Sequence, residues 1–152
     1  MGYFRVLRGM DEVKSYVAPA AMEKGLSVQE TAADPKKIEA GSNESIGFVL
    51  QNVLTNGVPF EVQNAGIPVD DVPINQAVTV RGGEGEIVTD VVLTSGAGNL
   101  PGASVNDELA LNAGKWRVAQ LGDLVRGKLR EKDFGGITGY YRVEVYRTGK
   151  TA

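Results

Sequence analysis

The chain has 152 residues, 16 basic and 19 acidic side chains, no Cys and no His, for a formal charge of -3. That length suits one domain with a core of its own, while the missing Cys and His exclude disulfides, thiolate nucleophiles, imidazole bases and sulfur- or imidazole-ligated zinc. A pI near 5.0 argues against direct nucleic-acid binding, which needs clustered positive charge.

Twenty glycines and twenty valines point to short strands joined by many turns. Residues 1–25 read as an extended N-terminal arm, polar and Ala-rich, with an apolar cluster from Tyr3 to Leu7. Residues 13–22 have room for one or two helical turns, limited by Pro19. Residues 26–152 read as a single β-domain, although 23–45 carry no pattern that assigns them a place.

Asn56-Gly57 supplies the two positive φ angles of a type I′ turn and predicts a hairpin between 46–54 and 58–62. Strands are expected over 77–81 and 86–93, with Gly82-Gly83-Glu84-Gly85 as a tight reversal between them. A further hairpin is expected from 108–111 and 115–119 about Asn112-Ala113-Gly114, with Trp116 and Val118 on one face. The last two strands fall at 123–130 and 140–147, the second alternating Tyr141, Val143 and Val145 against Arg142, Glu144 and Tyr146. The fold class is therefore all-β, a small barrel or sandwich of about seven to nine strands.

No run of apolar residues is long enough for a membrane helix, and the N-terminal residues lack the stretch of a secretory signal, so a soluble protein with no membrane partner is expected. Residues 1–114 hold 7 basic and 15 acidic side chains, a net of -8, whereas 115–152 hold 9 and 4, a net of +5. Neutralisation of one region by the other, within a chain or between copies, is favoured over an acidic ligand, because adjacent strands favour opposite charges.

Catalytic candidates are weak. Gly96-Ala97-Gly98 lacks the third glycine and the helix of a dinucleotide site. The carboxylates Asp70-Asp71, Glu84, Glu86, Asp107 and Glu108 flank turns or alternate across strands, and the stretch 70–76 lacks the spacing of a calcium loop. We expect no enzyme activity, no cofactor and no metal. Trp116 between Lys115 and Arg117 suits a core or interface anchor better than a stacking platform for a base or sugar.

The segments 109–119 (LALNAGKWRVA), 122–129 (GDLVRGKL) and 141–145 (YRVEV) resemble the head decoration, or cement, proteins of tailed bacteriophages. Those are small β-barrels that repeat a hairpin, a Gly-Asp-x-Val-x-Gly-type turn and strand, and a closing Arg-Val-x-Val strand. The resemblance implies a non-catalytic virion protein, present in the host cytoplasm during assembly. It would add to the capsid exterior at capsomer junctions, commonly as a homotrimer, and hold the shell against internal DNA pressure. The major capsid protein is then the expected partner, and Tyr3, Phe4, Val6 and Leu7 in the arm, with Trp116 and Arg117, are the expected capsid or inter-subunit interface. A tail-tube or head-completion subunit with an assembly loop at 96–106, and a carbohydrate- or cell-surface-binding module using Trp116 and Tyr140, Tyr141 and Tyr146, are the alternatives.

Overall fold

The computed structural model describes residues 2–54 and 74–151, with side chains described through residue 147. The described residues are nearly all β, in two antiparallel sheets. In chain order the strands are β1 Phe4–Gly9, β2 Glu12–Val17, β3 Ser27–Glu30, β4 Ile38–Ala40, β5 Gly47–Val49, β6 Ala77–Gly82, β7 Gly85–Thr89, β8 Glu108–Asn112, β9 Lys115–Val118, β10 Leu124–Lys132 and β11 Tyr141–Thr151. A 3-10 turn, Phe134–Gly136, interrupts the link from β10 to β11. One sheet runs β1-β7-β11-β10-β8-β9, the other β2-β6-β5-β3-β4.

A bent two-stranded ribbon joins the sheets. Strand β1 pairs with β7 from Phe4↔Thr89 to Gly9↔Gly85, and β2 continues against β6 from Glu12↔Gly82 to Val17↔Ala77. Register holds through the corner, where the Met10 amide donates to the Glu84 carbonyl at 2.8 Å. Gly82 to Gly85 is therefore a corner between sheets, not the reversal expected from its glycines. Gly9 makes the bend possible, because its φ is +68° and a Cβ would meet the Glu84 carbonyl. Arg81 braces the inside of the corner, its Nε donating to the Met10 carbonyl at 2.6 Å and Nη2 to that of Gly9 at 3.3 Å.

Residues 4–17 thus build both sheets, which corrects the expectation of an extended arm and of helical turns at 13–22. Phe4, Met10, Tyr16 and Ala18 are all buried, so this stretch cannot leave the body without exposing core. Residues 27–40, unplaced by sequence, form the β3–β4 pair at the far side of the second sheet. The hairpin expected around Asn56-Gly57 lies outside the described residues.

Each sheet has its own core. Phe4, Phe48, Ile87, Leu109, Trp116, Leu129 and Val143 lie in the first, and Tyr16, Val28, Ile38, Val49, Val78 and Val80 in the second. Phe48 comes from the second sheet yet stacks between Phe4 (centroids 5.3 Å apart) and Trp116 (5.8 Å), so it stitches the two cores together. Such aromatic pairs contribute about 0.5–1.5 kcal/mol each beyond the area they bury. Sheet edges are partly linked as well: Val17 bridges Lys37 across the second sheet, and Val92 bridges Trp116 along the outer edge of β9.

The later strands follow their sequence pattern. β8 and β9 form a hairpin from Leu109↔Val118 to Asn112↔Lys115, turning on Ala113 (φ 50°) and Gly114 (φ 87°). In β11, Tyr141, Val143 and Val145 are buried while Arg142, Glu144 and Tyr146 are half-buried on the opposite face.

Candidate binding cleft

The residues expected at an interface are spread through the first sheet. Phe4 and Trp116 are core residues, Trp116 being only 1% exposed, so neither is a surface contact in this chain. Val6 packs against the same core. Tyr3 is half-buried, stacked on Tyr140 at 4.5 Å, with its amide donating to Asp90 Oδ1 at 2.7 Å. Arg117 is taken up by Asp123, donating from Nη2 at 2.7 Å and Nε at 3.1 Å. That pairing, reinforced by the Gln120 amide, holds the Asp123 carboxyl below its ordinary range against the opposing effect of burial. Leu7, at the bulge between Val6 and Arg8, remains open to solvent at 37% exposure.

These placements also bear on the alternative roles. A glycan platform on Trp116 is unavailable, and Tyr141 is buried too, its hydroxyl pKa raised first by burial and then by the charge of Asp133. The expected assembly loop at 96–106 is tied down: Leu100 is fully buried, Gly102 donates to Asn99 Oδ1 at 2.8 Å, and Lys132 Nζ reaches the carbonyls of Pro101 and Ala103, both at 2.8 Å. Glu86, the carboxylate a hydrolytic reading would use, receives Arg8 Nε at 2.9 Å and Arg142 Nη1 at 3.0 Å.

Glu86 belongs to an ion-pair network across the outer face of the first sheet, in which arginines flank two facing carboxylates. Arg8 on β1, Glu86 on β7, and Glu144 on β11 stand in register, and Arg130 on β10 closes on Glu144 at 3.1 Å. A second link, Arg147 Nη1 to Glu12 Oε1 at 2.6 Å, joins β11 to β2. The positive C-terminal region therefore neutralises acidic residues of the N-terminal region inside one chain, as charges on neighbouring strands favour.

Glu12 and Arg147 stand at a cleft of about 310 Å³ between β2 and β6 on one side and β10 and β11 on the other. Lys14, Tyr16, Ile46, Val80 and Arg126 are among the other residues that line it. Its two arginines arrive there through one irregularity. Val125 pairs with Lys150 but Gly127 with Val145, so Arg126 and Arg147 both fall where the β10–β11 ladder loses register. The shift recurs against β8, where Val125 faces Ala110 and Gly127 faces Leu109. Bulges of this kind re-aim side chains away from regular alternation.

Arg126 is held with few partners. Nη1 donates to the Asn43 carbonyl at 3.2 Å, whereas Nε is buried without a hydrogen-bond partner. Burial pushes its pKa down, and the nearby charge of Glu44 works in the other direction. Lys14 makes no ion pair among the described residues. Tyr16 is occupied, donating its hydroxyl to Glu30 Oε2 at 2.9 Å, and its pKa is raised chiefly by burial, then by Glu30. The cleft thus offers cationic donors above an apolar floor of Ile46 and Val80.

Sequence reasoning missed Arg126, Arg147 and Lys14 because they are isolated basic residues in strands, and only the bulge brings two of them together. Among the described residues, no group of three or more acidic, His or Cys side chains is placed to hold a metal ion, and no helix is long and apolar enough to cross a membrane. Compared with protein-family models and with curated proteins, the chain matches none.

Proposed function

We propose that this chain is a structural virion protein that binds the outside of a tailed-phage capsid at capsomer junctions, as a homotrimer, and stabilises the shell against internal DNA pressure. One observation carries the proposal: the three segments that resemble decoration proteins occupy adjacent strands. They are the β8–β9 hairpin, β10 and β11, side by side in the order β11-β10-β8-β9. Segments scattered over unrelated elements would have no common surface to present; these share one sheet and one core.

Further support comes from the turn between β9 and β10, inside the resembling region. Leu121 there is 98% exposed, which makes it the most available large apolar side chain among the described residues. Many weak contacts of this size, repeated over a trimer on a shell, add up through effective concentration. With Phe4 and Trp116 committed to the core, docking passes to the loops and to Leu7 and not to a mobile arm.

The test is co-sedimentation of the purified protein with heads of the source phage prepared without it. Saturable pelleting, together with a higher temperature of head rupture, is expected. Absence of pelleting with intact, expanded heads overturns the proposal.

A further inference from the structure

We propose that the cleft between β2, β6, β10 and β11 is a binding site for a carboxylate carried on a short aliphatic stem, held by Arg126 and Lys14. The inference is independent of the capsid role. The shape of the site is that of a small-ligand pocket, concave and about 310 Å³, at the lower end of the usual range.

Charge and hydrogen bonding set the chemistry of the ligand. Arg126 brings a guanidinium whose single hydrogen bond among the described residues is from Nη1 to a backbone carbonyl, leaving Nη2 to donate. Partly buried charge without a paired counter-charge is unfavourable, and a bound anion relieves it through charge-assisted hydrogen bonds. Lys14 adds a second cation on the opposite wall, while Arg147 is occupied by Glu12 at 2.6 Å and serves as a fixed border. The charge of Glu44 works against the effect of burial on Arg126, and the guanidinium is cationic at any pH of interest.

The floor sets the rest of the ligand. Ile46, Val80 and the ring of Tyr16 line the cleft beneath the cations. Apolar lining favours a carboxylate with two or three methylenes over a compact, fully hydrated phosphate. An acidic side chain of another protein and a free small dicarboxylate share that chemistry.

Isothermal titration of the full chain with glutarate, at fixed ionic strength, tests the site. Saturable binding at one site per chain is expected, weakened about tenfold or more in Arg126→Gln and by a smaller factor in Lys14→Gln, as loss of charged hydrogen bonds dictates. Lys14 is exposed, so its variant keeps the test open if Arg126→Gln fails to fold. Binding of N-acetyl-glutamate amide as tight as that of glutarate supports the site with a protein side chain as occupant, and binding of glutarate alone supports it with a free dicarboxylate. No saturable heat with glutarate, unchanged affinity in both variants, or equal affinity for inorganic phosphate overturns the proposal. None of these results depends on head binding, so the two proposals fail separately.

Discussion

Gly127 lies directly beneath the indole of Trp116: a Cβ at that position would come within 3.0 Å of the ring and 2.5 Å of the Glu144 carbonyl. The glycine of the β10 motif is thus a packing requirement, fixed by the large side chain across the sheet and by close approach of β11. Gly127→Ala is expected to destabilise by about 1–3 kcal/mol, the usual penalty for overpacking a filled core. Urea denaturation gives the value, and an unchanged midpoint would show that the ring has room to move.

Trp116→Ala should lose about 3–5 kcal/mol, because it removes the largest fully buried side chain and one end of the Phe4–Phe48–Trp116 stack. Leu121→Asp, by contrast, should leave the melting temperature within a degree or two and weaken head binding, since surface changes of this kind are nearly neutral to the fold. The same pair of variants separates the core residue from the proposed docking residue in one set of melting and pelleting experiments.

The ribbon corner depends on Arg81. Replacing it with Met keeps the aliphatic length but leaves the Met10 and Gly9 carbonyls without their guanidinium partner. A loss of about 1.5–3 kcal/mol is expected, the range for hydrogen bonds to a charged group. Hydrogen exchange should show the earliest opening at the amides of residues 9–12 and 82–85; uniform opening throughout both sheets would contradict a local role.

Asp123 makes stability depend on acid. Its folded pKa is held below the ordinary value of about 3.9 by the Arg117 pair, so the native state favours the ionised form. The contribution is complete above that ordinary value and disappears as pH falls through the lower folded one. Wild type should therefore exceed Asp123→Asn in urea midpoint near neutrality, and the gap should shrink below about pH 4. A gap that stays constant down to pH 2 would assign the effect to something other than ionisation.

Much of the first sheet was legible in the sequence because local pattern and tertiary environment agree there. Tyr141, Val143 and Val145 alternate and are buried on one face, and Ala113-Gly114 turn a hairpin as their φ angles permit. Strands β1 and β2 were not legible, since each gains its partner only from β7 and β6, sixty or more residues away, as in Val17↔Ala77. Gly82 to Gly85 contains the residues of a reversal, but whether such a loop reverses or bends is decided by whether its flanking strands pair with each other. Here they pair with β2 and β1.

The cleft was hidden for a related reason. A bulge adds residues to a ladder without a residue type of its own, and nothing in Val125-Arg126-Gly127 marks the change of register against both β11 and β8. Glu12 and Arg147 likewise meet across 135 positions of chain. The opposing net charges of the two regions did forecast that such pairs would form, although not which residues would make them.

The capsid proposal is tested most directly by a cryo-electron microscopy reconstruction of source-phage heads to which the protein has been added. The expected result is density on the outer surface at capsomer junctions, with threefold symmetry, into which the two-sheet body fits with the β9–β10 turn toward the shell. Density confined to the tail tube, to the neck or to the inner surface of the head would contradict it.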